Sequence, residues 1–547
     1  MESHQNGGTE SLEETDRLHP ARPRHGQTVG IVAILTFLVS VFGYIREATL
    51  AARFGVSATM DAYFGAILIP YTVYLILVVG TLSPVLIPIL LQEDINDREK
   101  VSETFSVAAN FTLLCMSLIV GLSLLTARRW LPWLFPGFNA ATMAMLLRLV
   151  YIVFPGVIFL AMAGVFTAAL NGFHKFALAA FVPAISSIGV IIAALTARGS
   201  RAIYIVGFAT AIGFLLQFLF LVPAAGALGI RYRAVLSFRH PAIRKTIRLG
   251  GPLFIYLIVA NASSIVERNL ASRISAGAVS AITYATRLFA VPSNFLAAPL
   301  AIVSYPVFAR EALKDNFGDL SDRILRTLRF IIVIFLPVTL LVILNALPIT
   351  RTLYQRGQFH GGDSVLISGL LMLYSIGILP NAIAVILLRC FFAIQDTVTP
   401  LIAEGANLAI YTLTAFWLSS HFGIRGLALA RGFSFFLVAG VFIFVLSKRR
   451  GLLRPDAHVG WLFVKTAVAT SVMGLVNWVA WHVLQPSFDS FKTPTRLGLL
   501  CAVGTLSVAA FLGVARLLKL REVTTVLKTG LSLIGANYAR GLAWFGA

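Results

Sequence analysis

The sequence has 547 residues, a length that in a soluble protein would correspond to about three or four domains. Hydrophobic residues make up 58% of the chain and charged residues only 12%, whereas ordinary globular proteins have about 45–50% and about 25%. A soluble fold of this size cannot bury so much apolar surface. The composition therefore excludes a soluble globular protein and indicates an integral membrane protein.

The charge balance is strongly basic, with 44 Lys and Arg against 23 Asp and Glu and a formal net charge of +21. In a soluble protein this balance would suggest nucleic acid as a partner. Here the basic residues lie mostly in short segments between apolar runs, where they set orientation and meet anionic lipid. We therefore expect membrane lipids, and no nucleic acid, as partners. The cysteines lie far apart inside apolar runs and have no metal-binding spacing.

Fourteen apolar stretches are long enough to cross a bilayer core of about 30 Å as helices. They cover approximately residues 29–51, 62–91, 103–126, 144–170, 177–197, 203–223, 249–272, 278–309, 328–348, 364–394, 398–419, 424–447, 461–484 and 496–518. The predicted fold is therefore an all-α integral membrane protein with about fourteen transmembrane helices.

Polar segments divide these spans into groups. Residues 1–28 are predicted to be a disordered cytoplasmic tail without a cleavable signal peptide. A basic cytoplasmic linker at 231–248 separates a six-helix N-lobe (29–230) from a six-helix C-lobe (249–447), and two more helices follow at 448–518. Two similar halves are a common transporter plan, with the substrate held between them. Residues 519–547 read either as an amphipathic helix on the membrane surface or as a frayed terminal helix.

Basic residues predict the orientation of the chain. With a cytoplasmic N-terminus, the inner segments hold about twice as many Lys and Arg as the outer ones, and both dense clusters fall inside. Cytoplasmic loops carry such an excess. We therefore expect both termini in the cytoplasm.

Ionisable residues inside the spans mark candidate functional positions, because each costs about 2.5–3.5 kcal/mol at mid-membrane on insertion scales. The candidates are Arg46, Glu47, Asp61, Glu267, Arg268, Arg287, Arg389, Glu404, Arg431 and Lys465. Three of them, Arg389, Arg431 and Lys465, lie near span ends and are expected to extend to the membrane interface.

Two helices carry polar stripes at helical spacing, one through Arg268 and the other through Glu404. The stripes are Asn261, Ser264 and Arg268 in the seventh span, and Glu404, Asn407, Tyr411 and Thr414 in the eleventh. Such stripes either line a cavity or hold packed helices together by hydrogen bonds.

Arg46 and Arg287 lie in opposite predicted halves of the protein. A guanidinium group presents a planar fork of donors that matches phosphate oxygens. The pair therefore predicts a phosphate or pyrophosphate headgroup site at the interface of the two halves.

Eight sequence segments form a recognisable set: GYIREATLAARFG (43–55), MDAYFGAILIP (60–70), LSPVLIPIL (82–90), FPGF (135–138), LNGFHKFALAAFVPAI (170–185), IVERNLASRISAGAVSAITYATRLFAVP (265–292), LYQRGQF (353–359) and IQDTVTP (394–400). Together they resemble the lipid II flippase (MurJ/MviN) family. The resemblance implies a fold of the multidrug/oligosaccharidyl-lipid/polysaccharide exporter superfamily, with two lobes around a cationic cavity. It also implies a non-enzymatic activity in the bacterial cytoplasmic membrane. The family flips an undecaprenyl-pyrophosphate-linked peptidoglycan precursor from the inner to the outer leaflet by alternating access.

The resemblance also assigns expected roles to single residues. Arg46, Asp61 and Arg287 match positions that family members need for cargo binding or gating, and Glu47 stands where an acidic residue is common. Glu267 stands where some members have a carboxylate linked to a sodium site, which makes it a candidate cation ligand. Arg268, beside it, is a further candidate for binding or gating. A coupling cation, Na⁺ or H⁺, is left open, and no other cofactor is expected.

The sequence departs from the family pattern near the second span. Ser40, Tyr74, Leu75 and Val79 stand where family members usually carry charged residues, so the cavity should be less cationic than usual. This leaves two alternatives open: an exporter of another polyprenyl-linked polysaccharide intermediate, or a non-transporting paralogue. A membrane enzyme is not expected, because the sequence shows no DxD, HxxxxD, HExxH or Walker-type motif.

Overall fold

The computed structural model describes residues 25–82, 86–89, 98–173, 175–313, 317–449, 452–453, 457–488, 490–520 and 522–523. Within these ranges all regular secondary structure is helical. Most of the predicted tail and most of the predicted C-terminal amphipathic segment lie outside the described residues.

The helices fall into three consecutive groups. The first lobe contains α1 His25–Phe54, α2 Ala58–Tyr74, α3 Arg98–Leu134, α4 Ala140–Gly172, α5 Phe176–Phe181, α6 Pro183–Thr196 and α7 Ala202–Ala227. The second lobe contains α8 Pro241–Ser272, α9 Ala278–Pro292, α10 Ala298–Leu313, α11 Phe317–Leu344, α12 Ala346–Tyr354, α13 Gly361–Ser375, α14 Ile378–Ala393, α15 Val398–Phe422 and α16 Ile424–Phe444. The C-terminal pair is α17 Ala457–Phe488 and α18 Thr493–Leu517. π-helical segments at Leu75–Leu82, Ser293–Ala297 and Val445–Arg449 follow α2, α9 and α16.

The described residues contain 13 helical stretches that are long and apolar enough to cross a membrane. Helices α13 and α14 form one more such span if their 46° bend is counted as a break within a single crossing, which gives 14. The predicted all-α membrane fold is therefore confirmed. Each lobe packs mainly on itself, as α4 against α7 and α15 against α16 illustrate, while α17 packs on α11 of the second lobe.

The second part of the predicted linker between the lobes is helical, and the apolar span that follows it begins at Leu253. Residues 241–248 of the predicted linker are helical, because α8 begins at Pro241, a residue whose fixed φ suits the first turn of a helix. The start of the linker lies along α3. There the Ser102 and Ser106 hydroxyls accept hydrogen bonds from the backbone N–H groups of Arg231 and Arg233, at 3.1 and 2.9 Å. One turn further, the Asn110 amide donates to the Arg233 carbonyl at 3.0 Å.

The two lobes meet at both ends of the bundle. The end where α1 passes into α2 is here called the distal end, and the opposite end, where α8 packs on the π-helical segment Leu75–Leu82, is called the proximal end. The Asn269 amide of the second lobe donates to the carbonyls of Trp133 and Leu134, at 3.0 Å each. The backbone N–H of Gln358 donates to the carbonyl of Ala52 at 2.8 Å. These bonds hold the lobes together at the distal end.

A buried amide network attaches the C-terminal pair to the second lobe. Trp481 donates to the Asn345 side-chain oxygen at 2.6 Å, and the Asn345 amide donates to Asn477 at 3.3 Å. Asn477 in turn donates to the Ser507 hydroxyl at 3.0 Å. Polar side chains bonded across helices stabilise packing inside a membrane, so α17 and α18 are fixed to α11 and α12 rather than loosely appended.

Candidate substrate-binding cavity

A cavity of about 280 Å³ lies in the first lobe and is completed by α9 of the second. Three charged residues line it: Arg46 and Glu47 from α1, and Arg287 from α9. The rest of the lining is apolar or uncharged, and includes Thr210 and Gln217 of α7. The structure thus places both predicted guanidinium groups on one cavity, although they are separated by 241 positions in the sequence, from 46 to 287.

The three charged side chains form one cluster in which two guanidinium groups share a carboxylate. Arg46 donates from Nη2 to Glu47 Oε1 at 2.9 Å, and Arg287 Nε lies 3.7 Å from the same oxygen. The Glu47 side chain is 4% exposed, whereas those of Arg46 and Arg287 are 26% and 47% exposed. The cluster therefore carries one excess positive charge, and the exposed part of it is cationic.

The remaining donors of this cluster suit an anion. Arg287 turns its Nε towards Glu47, and its two Nη groups make no hydrogen bond to any described residue. Guanidinium donors in a fixed fork pair with phosphate oxygens, often through two parallel bonds. In a cavity with a low local dielectric such pairing is stronger than in water. The chemistry available here is binding of a phosphate-containing headgroup.

Asp61 does not line this cavity; it binds the start of α9 at the distal end. Its two carboxylate oxygens accept hydrogen bonds from the backbone N–H groups of Gly277, at 2.6 Å, and Ser280, at 2.7 Å. The first N–H groups of a helix have no partner within the helix and favour negative charge. Asp61 of the first lobe therefore caps a helix of the second lobe, at a position suited to gating rather than to contact with cargo.

The backbone at this cap leaves no room for a larger residue. Gly277 has φ +87°, and a Cβ added there would lie 2.9 Å from a methyl group of Val56. Helix α9 carries the Asp61 contact at its start and Arg287 ten residues later, about 15 Å along the axis at 1.5 Å per residue. One rigid element thus links the distal contact between the lobes to the cavity.

Glu267 and Arg268 lie in the second lobe, apart from the cavity. Glu267 is 1% exposed and accepts a hydrogen bond from the Tyr374 hydroxyl at 2.8 Å. Arg268 donates to the backbone carbonyl of Ser264 at 3.1 Å. The structure therefore brings Arg46, Glu47 and Arg287 together and leaves this acidic group and its neighbour elsewhere.

The surroundings of Glu267 do not fit a metal ion. Its described partners are donors: the Tyr374 hydroxyl, and the Arg431 guanidinium, which is close enough for electrostatic interaction. Within the described ranges no group of three or more His, Cys, Asp and Glu side chains could hold a metal. Bound Na⁺ needs several oxygen acceptors converging on it, and this cluster instead supplies its own positive charge. The coupling ion stays a prediction.

Arg431 takes a different place from the one predicted. Instead of extending to the membrane interface, its guanidinium donates to the Ser264 hydroxyl at 3.3 Å and stacks over the Tyr411 ring at 5.1 Å. The prediction was wrong because the polar stripe of α15 offers it a partner inside the bundle. A sequence signal existed: Ser264 and Tyr411 belong to the two polar stripes, which face each other where α8 packs on α15.

The departures from the family pattern bear directly on the cavity. Tyr74 lines it, whereas the Ser40 hydroxyl is bonded to the Thr36 carbonyl one turn earlier at 2.9 Å. Leu75 begins the π-helical segment after α2. An aromatic ring thus stands on the cavity wall at a position where a cation was expected from the family pattern.

Comparisons with known proteins agree with this architecture. The sequence profile of the family described as "Lipid II flippase MurJ" matches residues 50–498. A lipid II flippase MurJ of Burkholderia cenocepacia is 27% identical over 465 residues, covering 82% of this chain and 89% of that protein. A probable lipid II flippase MurJ of Vibrio cholerae is 26% identical over 519 residues, covering 90% and 95%.

Solved structures show the same fold. A lipid II flippase MurJ in an inward closed conformation matches with a TM-score of 0.72 and 22% identity, over 89% of this chain and 99% of that chain. An inward-facing multidrug resistance MATE family transporter of the MOP superfamily matches with a TM-score of 0.63 and 15% identity, over 77% and 98%. At these identities the likeness supports the fold alone.

Proposed function

The chain belongs to the lipid II flippase MurJ family, and we propose that it moves an undecaprenyl-pyrophosphate-linked peptidoglycan precursor from the inner to the outer leaflet of the bacterial cytoplasmic membrane. The single observation that carries this proposal is the excess positive charge of the Arg46–Glu47–Arg287 cluster on a cavity between lobes. A diphosphate supplies the missing negative charge.

The mechanism follows from the two ends of the bundle. With both termini in the cytoplasm, as we propose from the basic loops, the distal end faces the outer side of the membrane. The Asp61 cap on α9 closes that side. A diphosphate that binds Arg287 competes with Glu47 for the guanidinium and pulls on α9, the helix whose start Asp61 holds. Release of that cap opens the outer side, and this is alternating access.

Net transport towards the outer leaflet needs a source of free energy. The sequence contains no nucleotide-hydrolysis motif that would provide this energy. Moving one elementary charge through 100 mV changes its free energy by about 2.3 kcal/mol, which biases a two-state equilibrium about fiftyfold. We propose the membrane potential, an ion gradient or downstream consumption of cargo as the source. The protein acts as a transporter rather than a catalyst in each case.

The deciding experiment uses purified protein in proteoliposomes with lipid II labelled in its headgroup, and measures the label's accessibility to a membrane-impermeant quencher. We expect protein-dependent transfer of lipid II between leaflets. A parallel arm uses an undecaprenyl diphosphate that carries an unrelated oligosaccharide.

Tyr74 favours a second candidate cargo. Its aromatic ring in the cavity wall can pack against a sugar ring, whereas the basic residue expected at this position from the family pattern would pair with a negatively charged group. If only the unrelated glycan is transferred, the protein exports another polyprenyl-linked intermediate. Failure to bind or move either lipid, in protein that remains folded, contradicts transport and leaves the non-transporting paralogue.

A further inference from the structure

A second pocket lies on the flank of the first lobe near the distal end, between α4 and α7. Its volume is about 690 Å³, and we call it the distal pocket. Its lining residues are Met145, Arg148, Tyr151, Ile152, Ser200, Arg201, Tyr204 and Phe208. It is separate from the central cavity: on α7, Thr210 and Gln217 of the cavity lie on the helix face opposite to Tyr204 and Phe208 at 100° per residue.

Arginine and tyrosine side chains recur at the same spacing on the two helices of the distal pocket. Both α4 and α7 begin at the distal end, so position along each helix measures depth. Tyr151 and Tyr204 follow Arg148 and Arg201 by three residues, whereas Met145 is the lining residue of α4 nearest the distal end. On α7 the order Arg201, Tyr204, Phe208 matches the headgroup, interface and hydrocarbon levels of one leaflet.

The two arginines have no internal partner. Both are exposed, and neither makes a hydrogen bond or ion pair with a described residue. The sequence contains no Asp or Glu between Glu103 and Glu267, so α4, α7 and the loops beside them offer no carboxylate. Positive charge at this end of the lobe must be balanced from outside the chain.

The orientation makes these arginines unexpected. On the outer side that we propose for the distal end, short loops are normally poor in basic residues. The first lobe nevertheless places six arginines there: Arg53, Arg128, Arg129, Arg148, Arg198 and Arg201. All are arginine rather than lysine, and guanidinium groups bind phosphate through a planar pair of donors.

We propose that the distal pocket binds an anionic phospholipid of the adjoining leaflet, with its phosphate on Arg148 and Arg201 and an acyl chain against Ile152 and Phe208. The Tyr204 hydroxyl, which makes no hydrogen bond to a described residue, is placed to donate to the glycerol region. The assignment is independent of the cargo, because the pocket faces away from the central cavity and opens on the flank of the lobe.

The test compares dioleoyl phosphatidylglycerol with dioleoyl phosphatidylcholine, which differ in charge but not in chains. Purified full-length protein in neutral detergent is titrated with each lipid while Tm and lipid-bound species in native mass spectra are recorded. We expect phosphatidylglycerol to raise Tm and to bind more tightly. In the Arg148→Gln/Arg201→Gln variant its affinity should fall about tenfold, because both guanidinium groups are exposed and exposed charge pairs are weakened by solvent.

The matched control is Arg425→Gln, an exposed arginine at the distal end of the second lobe that does not line the pocket. It removes one charge and should leave phosphatidylglycerol binding unchanged, which separates the pocket from general attraction to a protein of charge +21. Arg148→Lys/Arg201→Lys keeps the charges and should retain the preference for phosphatidylglycerol. Tm without added lipid checks that each variant folds.

Three results overturn the proposal. In the first, the two phospholipids bind equally well. In the second, the double glutamine variant retains the phosphatidylglycerol preference. In the third, undecaprenyl diphosphate, but not phosphatidylglycerol, loses affinity in that variant, which makes the pocket a cargo site. Lipid II transfer by wild-type protein is measured separately, so loss of this proposal leaves the proposed function untouched.

Discussion

Two charge clusters among the described residues, one on the cavity between the lobes and one within the second lobe, are built on opposite principles. In the central cavity two guanidinium groups share the single carboxylate of Glu47, and both are partly exposed. In the second lobe two guanidinium groups, of Arg268 and Arg431, interact with two carboxylates, of Glu267 and Glu404, and Arg431 also lies over the Tyr411 ring. The first cluster has excess charge that an external ion can balance, whereas the second is balanced by groups of the chain itself.

The difference teaches how to separate a binding cluster from a structural one inside a membrane. Both contain ionisable residues of the kind that a bilayer disfavours, so rarity alone does not identify function. The number of charges of each sign and their exposure do identify function. A cluster with a surplus of one charge that is accessible from a cavity needs a ligand of the opposite charge. A balanced set within one lobe stabilises that lobe and needs none.

The largest effect on transport is expected from removing either arginine of the Arg46–Glu47–Arg287 cluster. Arg46→Ala and Arg287→Ala should each reduce lipid II transfer about a hundredfold or more, because each removes charge-assisted bonds of about 1.5–3 kcal/mol apiece. Transfer in proteoliposomes and complementation of a flippase-depleted strain measure this. The Arg425→Ala variant, an exposed arginine away from the cavity, should behave as wild type. Full complementation by both cavity variants would refute the anion-binding role of the cluster.

Asp61→Ala should have the next largest effect, through the contact between lobes rather than through cargo. It leaves the N–H groups of Gly277 and Ser280 unpaired, which costs about 2–3 kcal/mol for two capping bonds. We expect the distal end to open more often, so that a cysteine placed at Val56 reacts faster with a membrane-impermeant maleimide. The same cysteine in the Asp61-containing background is the control. Equal labelling rates in the two proteins would show that Asp61 does not hold the lobes together.

Glu267→Gln should mainly affect stability, because it leaves Arg431 with one carboxylate fewer. We expect a loss of about 1–3 kcal/mol, the cost of an unbalanced buried charge with partial compensation, seen as a lower Tm. Tyr374→Phe removes only the 2.8 Å hydrogen bond and should cost less. If the Glu267→Gln/Arg431→Gln protein is no more stable than the sum of its single variants predicts, the two groups are not coupled.

The smallest effect is expected from adding charge to the first cluster. Tyr74→Lys places a cation on the cavity wall and should tighten binding of inorganic pyrophosphate severalfold, by roughly 1 kcal/mol at the effective dielectric of a partly exposed pair. Isothermal titration against the wild type measures this, with Tyr74→Gln as the uncharged control. No gain over that control would place the pyrophosphate outside the cavity.

Much of the fold could be predicted because a membrane span is a simple signal. Fourteen predominantly apolar stretches predicted the membrane-spanning helices, and only the bend between α13 and α14 makes the count 13 or 14. The helical part of the predicted linker was not foreseen, because basic residues mark the membrane surface and do not report where a helix starts. Helix α8 begins at Pro241, before the apolar run does.

The sequence predicted which residues belong to the site but not which groups they contact. Arg46 and Arg287 stood out as charges in apolar runs, yet only the packing of α9 on the first lobe shows that Glu47 serves both. The partners of Asp61 are backbone N–H groups, which every residue except proline possesses, so no side-chain pattern could indicate them. Arg431 was misplaced because distance to a span end does not reveal a partner on a neighbouring helix.

The hydrogen bonds from hydroxyl and amide side chains of α3 to the linker limit how far the two lobes can move apart. Arg231 and Arg233 are held by Ser102 and Ser106, and the Val235 carbonyl accepts a hydrogen bond from the Asn110 amide at 2.8 Å. Only the five residues 236–240 therefore remain to act as a tether before α8 begins. A tether of five residues spans at most about 17 Å when fully stretched. Movement of α8 away from α3 at the proximal end is therefore limited to this distance. The linker itself sets the maximum separation of the two helices.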